Sequence, residues 1–149
     1  MIVALLIGRK GSKGLPGKNL MRLAGKPMAW WPLDAASKVH EIDRTYISTD
    51  DPDIAALGEE FGAFSIERPT FLATDGALGE DAFVHAHRAI SNELLQRRLK
   101  VEIYVLLMAN AVTVSPDQIR TGIATLRTYP DLDSAVTVSR YNMWSPLRA

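Results

Sequence analysis

No cysteine occurs in the chain, which excludes disulfide staples, thiolate nucleophiles and cysteine-based zinc sites. Net charge is also absent, because 17 Lys plus Arg balance 17 Asp plus Glu. There is therefore no overall pull toward nucleic acid or anionic lipid, and any anion site has to be local. No apolar stretch approaches the roughly 20 residues that a helix needs to cross a bilayer. The opening run MIVALLIGRKG has too few apolar residues for a secretory leader and lacks a small-residue cleavage pattern, so it reads as a strand. Repeats, low-complexity tracts and linkers are missing too. These absences agree with a cytoplasmic protein that has no membrane or nucleic-acid partner. With 149 residues, 47% of them apolar, the chain reads as one domain over residues 1–149.

What is present has a clear order. Apolar runs of strand length cover residues 2–7, 45–48, 101–107 and 135–138. Their unbroken apolarity predicts strands buried on both faces, as in a parallel sheet. Helices are expected between them: residues 27–39, 52–61 and 79–96, and a fourth opening at Ser115. Asp51 and Pro52 mark the start of the second helix, and Gly62 marks its stop. Ser115-Pro116-Asp117-Gln118 has the form of a capping box, followed by Ile119, Ile123 and Leu126 on one face. This alternation predicts a three-layer α/β sandwich around a doubly wound, mainly parallel sheet.

The most informative segment follows the first strand: Gly8-Arg9-Lys10-Gly11-Ser12-Lys13-Gly14-Leu15-Pro16-Gly17-Lys18-Asn19. Four glycines allow close backbone approach, and four cations fall within ten residues, so a polyphosphate is the natural guest. A Walker A loop does not fit, because five residues separate Gly11 from Gly17 and Asn19 stands where the magnesium-binding hydroxyl belongs. A dinucleotide fingerprint does not fit either, because Gly8, Gly11 and Gly14 are evenly spaced and a proline follows. A basic, solvated surface loop stays open as the plain alternative.

The stretch VALLIGRKGSKGLPGKNL resembles the N-terminal signature of the acylneuraminate cytidylyltransferase (CMP-sialic acid synthetase) family, IPAR-x-GSKG-[IL]-P-x-KN. Further matches follow in order: LAGKP at 23–27, ISTDD at 47–51, GA and ERP within 62–69, LATD at 72–75 and DSAVTVSRYN at 133–142. The resemblance implies a nucleotide-diphospho-sugar transferase-like fold. It also implies transfer of CMP from CTP to a nonulosonic (sialic-type) acid with release of pyrophosphate, Mg²⁺ as cofactor, and a homodimer. It assigns Arg9 and Lys18 to the reacting phosphates. Gly8, Gly11, Ser12, Lys13, Asn19, Arg68 and Asn110 would hold the nucleotide. The family's aspartate pair for Mg²⁺ lies C-terminal to these matches, so the chain reads as lacking that part and its metal ligands are unassigned.

Departures mark a divergent member. Ile7-Gly8 replaces Pro-Ala, Lys10 replaces a glycine, and residues 106–113 read LLMANAVT where the family has LLQPTSPLR. A nucleotide-binding protein without turnover, or a transferase for another sugar, therefore remains open. An NAD-type domain is opposed by the loop's spacing.

Asp50, Asp51 and Asp53 are expected as helix cap and first-turn charge, and Asp131 and Asp133 as turn formers, in preference to metal ligands. His85 and His87 fall on different helix faces and make poor joint ligands. His40 is expected at a helix end, Trp30 and Trp31 in packing. Residues 141–148 read as a pocket wall or a dimerisation arm.

Overall fold

The computed structural model describes residues 1–11, 15–74 and 76–138. Strand β1 (Ile2–Ile7) leads through a small hairpin, β2 (Arg22–Leu23) and β3 (Lys26–Pro27), into helix α1 (Trp30–Ser37). Then come β4 (Arg44–Thr49), α2 (Pro52–Glu60), β5 (Phe64–Glu67), α3 (Gly79–Gln96), β6 (Ile103–Met108) and α4 (Pro116–Thr128). Four strands form one sheet in the order β5-β4-β1-β6, and every pairing in it is parallel.

β1 is central and buried at all six positions, as its continuous apolarity requires. Ile2, Ala4 and Leu6 face a core completed by Leu33 and Ala36 of α1, Ile54 and Leu57 of α2, and Ile119 and Ile123 of α4. Val3, Leu5 and Ile7 face α3, which contributes Ala82, Ala86, Ile90 and Leu94 at a four-residue spacing. The winding explains this division. The chain steps outward from β1 to β4 to β5 with helices on one face, then returns past both strands to β6. Reversing direction while keeping right-handed crossovers sends α3 to the opposite face. The result is the expected three-layer, doubly wound α/β sandwich.

The helix signals hold in detail. Asp51 caps α2 by accepting the Asp53 N–H at 3.0 Å, and Gly62 follows the helix at φ 68°. The capping box of α4 is complete, with Gln118 N–H on Ser115 Oγ at 3.2 Å and Ser115 N–H on Gln118 Oε1 at 2.9 Å. Trp30 packs edge-on against Trp31 and Phe61, and the Trp31 indole N–H reaches the Leu23 carbonyl at 3.3 Å. His40 is exposed in the turn after α1.

Three expectations are corrected. The first helix starts at Trp30 instead of residue 27, because Ala24 (φ 49°) and Gly25 (φ 82°) form a two-residue turn that folds Lys26 and Pro27 back against Arg22 and Leu23. β5 was not expected: it is a four-residue edge strand, exposed at three of its four positions and without the apolar density that marks the buried strands. Residues 135–138, expected as a strand, are not one. Among the described residues no strand lies beside them to share a ladder, and Val136 and Val138 are 78% and 88% exposed.

Candidate functional site

Because the sheet strands are parallel, their carboxyl ends share one edge, where open α/β sheets place ligands. The loop after β1, the bend at Asp50 after β4, Arg68 after β5 and the Ala109-Asn110 turn after β6 therefore meet there. The sequence does not place them together by spacing; the sheet does.

The β1 loop is tied down at several points. Gly8 N–H continues the ladder to the Ser48 carbonyl at 3.2 Å, one step past the Ile7–Ser48 register. Ala109 N–H donates to the Ile7 carbonyl at 3.0 Å, bringing the β6 turn against Gly8. A methyl group on Gly8 would stand 2.8 Å from Ala109 Cβ, so glycine is required here by close approach, not by positive φ. Asn19, buried at the far end of the loop, donates from Nδ2 to the Arg9 carbonyl at 3.0 Å. Its own carbonyl accepts Ala29 N–H at the entry to α1. Asn19 thus ties the start of the loop to its end, and the end to the entry of α1. Gly17, in the left-handed region at φ 67°, turns the chain into the short 3₁₀ turn Lys18–Leu20.

The cations occupy distinct positions. The partly buried Arg9 reaches from Nη1 to the Thr74 carbonyl at 2.9 Å, joining the β1 loop to the segment before α3. Lys18 is half-buried at the start of its turn, whereas Lys10, Gly11 and Asn110 are exposed. Arg68 is only 5% exposed, donating from Nη2 to the Ser48 carbonyl at 2.7 Å and from Nε to Ser48 Oγ at 3.4 Å. Burial draws its guanidinium below the ordinary arginine value; the charge of Asp50 opposes that shift and the charge of Arg9 adds to it. A cation short of hydration in this way gains from an anion brought alongside it. Ser12 and Lys13, both expected in the site, lie outside the described residues, as do Asp75 of the LATD element and residues 141–148.

Two clefts lie near this edge, and no described residue of the β1 loop lines either. One, of about 530 Å³, lies between Asp50, Pro52 and Ala55 on one wall and Ser65, Glu67 and Arg68 on the other. The second, of about 570 Å³, lies between Thr74 and Ala77 and the face of α3 that carries Asp81, His85 and Arg88. His85 Nδ1 is buried without a partner among the described residues. His87 stacks on Phe83 and meets Tyr104 edge-on, so the two histidines point apart as expected.

Among the described residues no group of three or more carboxylate or imidazole side chains could hold a metal ion. Asp51 is the helix cap. Asp50, read together with Asp51 and Asp53 as cap and first-turn charge, lies before the cap and does something else: its Oδ1 accepts the backbone N–H of Lys10 at 2.9 Å, across 40 positions of sequence. No sequence signal announces that contact. No described helix is long and apolar enough to cross a membrane.

The chain is similar to known proteins. The family model described as cytidylyltransferase matches residues 3–142. The N-acylneuraminate cytidylyltransferase of Escherichia coli O18:K1:H7 (strain RS218 / NMEC) is 35% identical over 57% of the chain and 20% of its own length. N-acylneuraminate cytidylyltransferase A of Danio rerio is 28% identical over 93% of the chain and 30% of its own length. Among solved structures, a CMP:2-keto-3-deoxy-manno-octonic acid synthetase complexed with CTP superposes with a TM-score of 0.67 at 26% identity, over 88% of this chain and 49% of that one. The chain thus spans a fifth to a third of these two curated relatives and about half of that structure. A parallel sheet with its glycine- and lysine-rich loop at the carboxyl edge, matched over nearly its whole length by one family model, places this chain in the cytidylyltransferase family.

Proposed function

We propose that the chain forms the nucleotide-binding part of an enzyme that transfers CMP from CTP to a nonulosonic (sialic-type) acid and releases pyrophosphate. The observation that carries this reading is the loop from Gly8 to Asn19, braced at both ends on the carboxyl edge of the sheet with Arg9, Lys10 and Lys18 on it and the buried Arg68 close by. In the proposed reaction the anomeric hydroxyl oxygen of the sugar acid bonds to the α-phosphorus of CTP. The bond from that phosphorus to the bridging oxygen breaks, pyrophosphate leaves with the bond electrons, and the hydroxyl proton passes to solvent. Negative charge builds on the phosphate oxygens, so fixed cations lower the barrier by being in place beforehand. Arg9 and Lys18 are proposed to hold the reacting phosphates. Gly8, Gly11, Ser12, Lys13, Asn19, Arg68 and Asn110 would support the nucleotide.

Mg²⁺ belongs to the proposal as an ion carried by the triphosphate, a common way for this hard cation to bind. A cytoplasmic homodimer belongs to it as well, checked by sedimentation of the purified chain. A 3-deoxy-manno-octulosonic acid is the competing sugar, favoured by the synthetase whose structure superposes on this chain.

The test is a thermal-shift series with each nucleoside triphosphate plus Mg²⁺, followed by pyrophosphate release with either sugar acid. A ligand at about 100 times its Kd adds roughly 2.7 kcal/mol of stability, a readily measured shift. CTP should stabilise the chain and Lys18→Ala should remove most of that effect while leaving the ligand-free melting temperature unchanged. An unaltered CTP response in Lys18→Ala refutes the site. CTP binding without pyrophosphate release selects the reading without turnover.

A further inference from the structure

We infer that Asp50 is a positioning residue of the β1 loop, setting its course by accepting the Lys10 amide while its negative charge works against an anionic guest. The inference rests on the reading of that loop as a triphosphate site.

The geometry follows from where the sheet ends. β1 and β4 run in register to Ile7 and Ser48, and Gly8 N–H still finds the Ser48 carbonyl. The strands end there, β1 at Ile7 and β4 at Thr49, so Lys10 N–H lies past the ladder. Asp50 Oδ1 fills the position at 2.9 Å. The neighbours of Asp50 are committed to local work: Thr49 Oγ1 accepts Asp51 N–H at 3.0 Å, and Asp51 Oδ1 caps α2. Asp50 is the residue of this bend that crosses to the β1 loop. A carboxylate is a strong acceptor for a backbone amide, so the contact holds the loop start firmly. The same carboxylate is felt by Arg68, whose charge it offsets. When no ligand is bound, Asp50 therefore supplies part of the counter-charge that a polyphosphate would otherwise bring, and a bound polyphosphate is repelled by it.

Geometry and charge can be separated by two variants. Asp50→Asn keeps an acceptor oxygen at the same position and removes the charge. Asp50→Ala removes both. Amide hydrogen exchange at Lys10, read by NMR without ligand, should keep its protection in Asp50→Asn and lose it tenfold or more in Asp50→Ala. The Kd for CTP with Mg²⁺ should be equal or several-fold tighter in Asp50→Asn and at least tenfold weaker in Asp50→Ala. Rescue by the amide is the result that a merely stabilising aspartate does not produce. Protection at Lys10 that survives Asp50→Ala overturns the inference, whether or not CTP binds. A loss of CTP affinity in Asp50→Asn as large as in Asp50→Ala also overturns it, because the charge would then be used directly. A wild-type chain that ignores CTP while Lys10 behaves as expected refutes the proposed function and leaves the positioning role standing.

Discussion

Gly8 and Ala109 are packed so closely that a methyl group on Gly8 would lie 2.8 Å from the Ala109 methyl carbon. Through this contact the loop after β1 and the turn after β6 form one surface, with Ile54 of α2 3.4 Å from the same point. Gly8→Ala is expected to cost about 1–3 kcal/mol, the usual range for overpacking in a tight interior. It should also weaken CTP binding, since relief of the clash has to move the loop. Urea denaturation and CTP titration of the same variant check both parts. A stable variant with normal affinity would show that the two loops can part without consequence.

Asn19 braces the loop through the Arg9 carbonyl, and its substitutions should rank in a definite order. Asn19→Ala removes a hydrogen bond worth about 1 kcal/mol and leaves the carbonyl without that partner. CTP affinity should fall several-fold. Asn19→Asp should be worse for CTP than Asn19→Ala, because a carboxylate would face both a carbonyl oxygen and the incoming phosphates. Calorimetric titration of the two variants reads the order, and equal affinities would remove Asn19 from the loop's support.

Far from the site, the buried Tyr46 hydroxyl donates to Glu93 Oε2 at 2.9 Å, and Arg44 holds Glu93 Oε1 at 2.9 Å. Burial raises the phenol's pKa above its ordinary 10.0; the Arg44 hydrogen bond opposes that rise and Glu93 adds to it. The neutral phenol is thus favoured in the folded chain. Its contribution is whole below pH 10 and is lost as pH climbs from there through the folded-state value. Tyr46→Phe should cost about 1 kcal/mol at pH 7. Above pH 10 its stability should decline less steeply than that of the wild type. Parallel stability curves for the two proteins in that range would rule out a buried, raised phenol.

Local signals that need no partner were readable without coordinates. Asp51-Pro52 and Ser115-Pro116-Asp117-Gln118 start helices because their side chains satisfy amides two or three residues away. The buried strand β1 could be read because every residue in it is apolar, and the glycine- and lysine-rich loop because its composition suits one kind of guest. The short hairpin and β5 were not legible, for different reasons: the hairpin turns on Ala24 taking a positive φ, and β5 depends on β4 lying beside it. Residues 135–138 show the opposite failure. Their apolar pattern is strand-like, but a pattern forms no ladder without a neighbouring chain.

The sequence by itself determined the layered α/β class, the helix starts, the buried central strand and the loop that carries the cations, because each depends on interactions within a few residues. Only the tertiary structure decided that Arg68 turns onto Ser48, that Asp50 reaches from the bend after β4 to hold Lys10, and that Gly8 must be bare to admit Ala109. Those relationships join residues 20, 40 and 101 positions apart. They arise from parallel strands bringing their carboxyl ends to one edge, and strand order is a property of the packed sheet.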